Sequence, residues 1–134
     1  ISKKQEGEFE ADELIDAYSN YFFNKMIIDI TAIKNYQSMN TMQKLSMNLN
    51  VEKIIFLLDR DNVNPSFLAQ LVGVGIYNFT TTRDGIMYLY NNPNSYSDVA
   101  QYQDSKFISN KNIIDTDDKI FSSDLKISYE NLIY

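Results

Sequence analysis

With 134 residues, 44% of them hydrophobic and 22% charged, the chain has the size and composition of one globular domain with a real core. A net charge of −6 argues against a nucleic-acid phosphate backbone or an anionic membrane surface as its main partner, since both call for a cationic face. The complete lack of Cys, His and Trp excludes disulfides, thiolate nucleophiles, Cys or His zinc sites and His-based acid–base chemistry, which leaves carboxylates, Lys, Tyr or a hard metal ion held by oxygens.

Residues 1–10 are polar and charged and predict an arm or loop. The first residue is Ile rather than Met, which predicts a fragment or a processed product. "ADELIDAYSNYFF" at 11–23 carries Leu14, Ile15, Tyr18, Tyr21 and Phe22 at helical spacing, with acids in its first turns where the helix dipole favours them. "KMIIDI" at 25–30 is a short β-branched run of the kind buried on both faces of a parallel sheet. "TMQKLSMNL" at 41–49 places Met42, Leu45 and Leu49 on one helical stripe, and "EKIIFLLD" at 52–59 is a second buried strand. Asn64 as cap and Pro65 at the first helical position open a helix that Gly73 or Gly75 can close. "IYNFT" at 76–80 is a third strand, "TTRDGIMYLYNN" a helix weakened by Gly85, and "SYSDVAQY" at 95–102 a short second helix.

Beyond Gln103 the pattern decays into short apolar pairs and polar clusters. Residues 1–102 are therefore expected to form one α/β domain, and 103–134 a tail, a linker toward a further domain, or one or two added strands. Alternating helices and strands with short loops predict parallel strands in a three-layer α/β sandwich. No apolar run is long enough to span a bilayer and no signal-peptide pattern is present. With no Cys in the chain, the expected location is the cytoplasm.

In a parallel sheet, ligands gather at the carboxyl ends of the strands. Those ends bring Asp29, Asp59, Asp61, Thr80, Thr81, Thr82 and Arg83 to one rim. Such a rim could hold Mg²⁺ or a small ligand. The same residue types also favour strand-to-helix loops simply because they cap and turn, and both readings stay open.

"MIIDIT … KIIFLLD … GIYNFTTT" resembles the last three strands of a response-regulator receiver domain, of the flavodoxin-like type, over about residues 8–92. On that resemblance Asp29 stands in the place of the phosphoacceptor. The family's hydroxyl position falls at Leu58 or Asp59 and its Lys position at Thr81 or Thr82. The resemblance thus implies a degenerate phosphoacceptor site of Asp29, Asp59, Thr81 and Thr82, with no catalysis and no metal. It also implies a sheet whose first strand is missing at the N-terminus or replaced, because only twenty-eight residues precede Asp29. "GIYNFTT" followed by "GIMYLYNNPNSYSDVAQY" is similar, more narrowly, to the receiver-like N-terminal domain of TadZ/CpaE-type proteins. That likeness implies a pseudo-receiver that dimerises and positions or regulates an attached ParA/MinD-type P-loop ATPase in pilus or secretion machinery. The face expected to dimerise, about residues 65–92, carries Phe67, Tyr77, Phe79, Tyr88 and Tyr90. Two alternatives remain: a receiver that accepts phosphate on Asp29 with Mg²⁺, and a small-ligand sensor using the rim.

Two further motifs are set aside. "NFT" at 78–80 is formally a glycosylation acceptor but falls on a predicted buried strand. "DTDDK" at 115–119 lacks the Gly and distal Glu of a calcium loop and reads as a solvated turn.

Overall fold

Residues 2–103 and 127–130 are described in the computed structural model. The apolar run before Asp29 forms strand β2 (Lys25–Asp29), and "IIFL" forms β3 (Ile54–Leu57), whose four residues are all buried. The two pair in parallel, Met26 opposite Ile54 and Asp29 opposite Leu57. β4 (Phe79–Thr80) adds in parallel to the far side of β3, with Leu57 opposite Thr80. These three strands, in chain order, make the parallel heart of a mixed α/β architecture.

Two antiparallel strands extend it. β5 (Ile127–Glu130) lies beside β2, with Ile28 opposite Ile127, and β1 (Ser2–Gln5) pairs with β5 at the outer edge. The five-stranded order is β1-β5-β2-β3-β4. The polar arm expected at the start is therefore a strand. An edge strand with one neighbour needs no apolar alternation, so its pattern carried no signal. β5 shows that the segment after Gln103 contributes a strand, while "DTDDK" lies outside the described residues.

Between these strands run α1 (Ala11–Tyr18), α2 (Met39–Asn48), α3 (Pro65–Gly73), α4 (Arg83–Asn91) and the short α5 (Tyr96–Val99), which continues as a 3₁₀ turn. α1 stops well before Phe23, at the "SN" pair, residue types that favour caps and turns over helix interiors. Beyond that pair Phe22 is 57% exposed, with the Lys53 ammonium 4.8 Å from its ring centroid.

Alternation along the strands splits the core in two. Met26, Ile28, Ile54, Phe56 and Leu58 join the larger cluster with Leu14 of α1, Met42 and Leu45 of α2, and Leu68 and Leu71 of α3. Ile55 and Leu57 join a smaller one with Ile86 and Leu89 of α4. The helix weakness expected at Gly85 has a steric reason: a Cβ there would collide with the Thr80 side chain, lying 2.7 Å from its Cβ. Among the described residues no helix is long and apolar enough to cross a membrane.

Candidate functional site

The carboxyl ends of β2, β3 and β4 share one rim, and each ends in a different local device. After β2 the chain turns at once into a 3₁₀ turn, Ile30–Ala32, with Asp29 as its cap. Asp29 is buried, 3% exposed, and its carboxylate accepts the Thr31 amide at 3.0 Å and the Thr31 hydroxyl at 2.7 Å through Oδ1. Short polar side chains close such turns by reaching the backbone two residues on.

After β3 the loop opens outward. Asp59 is half-buried, accepting the Asp61 amide at 3.2 Å and the Asn62 side-chain amide at 2.6 Å. Asn64 then caps α3 by accepting the Phe67 amide at 2.8 Å.

After β4 the three threonines divide their work. Thr80 Oγ1 accepts the Thr82 amide at 3.3 Å, and Thr82 caps α4 by accepting the Gly85 amide at 2.9 Å. Thr81 is buried and its hydroxyl has no hydrogen-bond partner among the described residues. Asp61 and Arg83 are exposed. No cluster of three or more acids suited to a metal ion occurs among the described residues.

A cleft of about 280 Å³ opens between the turn after β2 and the loop leading into α3. Ile30, Leu58, Val63 and Phe67 give it apolar walls, and Tyr36 stands across from Phe67 with the rings edge to face at 6.1 Å. Gln37, Asp59, Asn62, Asn64, Ser66 and Gln70 supply its polar groups. Burial pushes the Tyr36 hydroxyl above the ordinary tyrosine range, and the negative charge of Asp59 and, less strongly, of Asp29 adds to this, against a lowering hydrogen bond with Gln37. Two of the four rim residues expected as a degenerate phosphoacceptor site therefore act electrostatically on one phenol.

The expected interface residues have separate fates. Phe67 is buried and lines the cleft. Tyr77 leans on Tyr96 at 5.9 Å and Phe79 on Tyr102 at 5.7 Å, so both face α5 and its 3₁₀ extension. Tyr90 packs on the Ile55–Leu57 cluster with the Lys25 ammonium 5.9 Å from its ring centroid. Tyr88 is 64% exposed, beside Met87 at 64%. The glycosylation reading of "NFT" meets a buried Asn78 whose side-chain oxygen accepts the Asn94 amide at 2.7 Å, while Asn94 donates to the Tyr77 carbonyl at 3.0 Å.

Sequence reasoning missed Tyr36, Gln37, Asn62, Ser66 and Gln70 as members of one site. The available signal was positional: they occupy the loops that follow the first two parallel strands and the first turns of the helix after the second. Compared with protein-family models, curated proteins and solved structures, the chain matches none of them.

Proposed function

We propose that this chain is a non-catalytic, receiver-like regulatory and interaction module built as a three-layer α/β sandwich. In this reading it dimerises and positions or regulates an attached ParA/MinD-type P-loop ATPase of pilus or secretion machinery, in the cytoplasm. The observation that carries the non-catalytic part is the state of Asp29. Its Oδ1 closes the turn that follows its own strand, and the residue as a whole is 3% exposed. Transfer of a phosphoryl group to a carboxylate requires that oxygen to be presented to the donor, with cations to offset the developing charge.

β5 supports the same reading. It runs antiparallel beside β2, so it reaches this rim with its first residue, Ile127. A parallel strand there would end at the rim and could deliver an acidic pair after its last residue, as the first strand of a receiver does. Support for self-association comes from Met87 and Tyr88, two adjacent large side chains on α4, each 64% exposed. The attached ATPase rests on the resemblance of "GIYNFTT" and "GIMYLYNNPNSYSDVAQY".

Incubation with acetyl phosphate or beryllofluoride and Mg²⁺, followed by intact-mass spectrometry and NMR, tests this. The expected result is an unchanged mass and spectrum. A mass gain that Asp29→Asn removes would overturn the reading in favour of the phosphoaccepting receiver. Light scattering over a range of concentrations tests the dimer, and a strict monomer at the highest concentration removes that element.

A further inference from the structure

The cleft of about 280 Å³ beside Asp59 has no task in the interaction module proposed above. We infer that it is a binding site for a small organic monocation: an ammonium or amidinium group carried on a short apolar or aromatic body.

The sign of the charge follows from what surrounds the cleft. Asp59 lines it, and no Lys or Arg does so among the described residues. Among the described residues, Asp59 accepts hydrogen bonds from two neutral donors, the Asp61 amide and the Asn62 side chain, and a carboxylate has further lone pairs to offer a cation. The Tyr36 hydroxyl senses the same negative field from Asp59 and Asp29.

The amino end of α3 also faces the cleft, and a free helix terminus would attract anions. Here its donors are already used. Pro65 has no N–H, the Phe67 amide is held by Asn64 Oδ1 at 2.8 Å, and the Leu68 amide by the Asn64 carbonyl at 3.2 Å. Of the first four positions only the Ser66 amide is left, too few helix-terminal donors to hold a phosphate or carboxylate beside the Asp59 carboxylate.

The body of the ligand follows from the walls. Ile30, Leu58 and Val63 offer apolar surface, and the Tyr36–Phe67 pair offers an aromatic one over which a cation or a ring gains further attraction. Exposed Gln37 and Gln70 at the mouth suit the polar end of such a molecule or its water. The volume lies just under the usual span of drug-sized ligand pockets, roughly 300–1,000 Å³, so the ligand is a small metabolite-like amine. The inference stands whether or not the receiver-like reading does, since it uses the cleft's own chemistry.

The test is a titration of the isotope-labelled whole chain with tyramine and butylamine as monocationic probes, glucose as a neutral one and inorganic phosphate as an anionic one, followed by amide NMR shifts. Saturable shifts confined to Ile30, Tyr36, Gln37, Asn62 and their neighbours are expected with at least one amine and with neither glucose nor phosphate. Asp59→Asn, which keeps one acceptor for the Asp61 amide, should weaken amine binding roughly tenfold or more. Gln37→Lys, on an exposed residue where folding is not at stake, should abolish it by placing a cation at the mouth. A wild-type chain that binds neither amine, binds phosphate or glucose in the cleft as well as the amines, or binds an amine unaffected by both substitutions would overturn the assignment.

Discussion

Asp29 and Asp59 stand at the ends of neighbouring apolar parallel strands, yet the first is 3% exposed and the second is half-buried and open to a cleft. Register explains the difference. Asp29 lies opposite Leu57, so Asp59 stands two residues further along the strand direction, roughly 6–7 Å at the rise of a strand. The chain after Asp29 also folds back at once, and its buried Ile30 and Ala32 hold it against the core. The chain after Asp59 leaves through the polar residues 60–62, of which Asp61 and Asn62 are exposed. Two acids that look equivalent in the sequence thus become a turn-closing group and a group facing solvent and a cavity.

The largest expected effect breaks this comparison if it is wrong. Asp29→Ala removes the charged acceptor of a part-buried amide and a part-buried hydroxyl, a loss of about 2–3 kcal/mol. Asp59→Ala removes hydrogen bonds that water can replace, a loss of about 1 kcal/mol or less. Urea unfolding with unchanged slope measures both. Equal losses would mean that the two strand ends are alike after all.

How much of this was legible beforehand turns on what pattern encodes. The runs "MIID" and "IIFL" and the Asn64–Pro65 opening of α3 follow from periodicity and capping chemistry, and they fall where expected. Asp29 as a turn-organising residue was legible too, as the plainer of two readings. Register was not, because nothing local tells two parallel strands how far to slide past each other. The cleft was hidden for the same reason, since Tyr36 and Phe67 meet only once α3 has packed beside the turn after β2. β1 and β5 pair chain ends more than a hundred residues apart, a long-range choice that short polar strands do not announce.

The end of β4 supplies a third case between the two acids. Its Thr82 caps α4 and its Thr80 fills the space against Gly85, so it is closed by packing rather than by a carboxylate. Gly85→Ala gains about 1 kcal/mol of helix propensity but drives a methyl into Thr80, an overpacking cost of about 1–3 kcal/mol. A net loss of stability of up to about 2 kcal/mol is expected. A gain would show that Thr80 can yield, and that this end is as loose as the one after β3.

Thr81 gives a smaller effect of opposite sign. Its buried hydroxyl has no partner among the described residues, and burying such a group costs free energy that an apolar isostere avoids. Thr81→Val should therefore raise stability by about 1 kcal/mol, read as a higher urea midpoint. A loss instead would show that the hydroxyl serves something at this rim, and would reopen Thr81 as a site residue.

The smallest effect joins both acids through one group. In the folded chain the Tyr36 hydroxyl titrates above its ordinary range, first because it is partly buried, then because Asp59 and Asp29 oppose a third negative charge nearby. The folded state therefore holds this proton more tightly than the unfolded one. By linkage, its contribution to stability is fully present below the unfolded tyrosine value of about 10 and is lost as pH rises through the folded value. Stability should decline on the alkaline side, and Tyr36→Phe should flatten that decline relative to the parent. With ten tyrosines in the chain, the difference between the two alkaline limbs is the informative quantity. The comparison of the two acids predicts how it divides. Asp59→Asn should recover more of the flattening than Asp29→Asn, because Asp59 is the larger of the two charge effects on Tyr36. The reverse order would place the turn-closing acid, not the cleft acid, in control of the phenol, and the electrostatic separation of the two strand ends would fail with it.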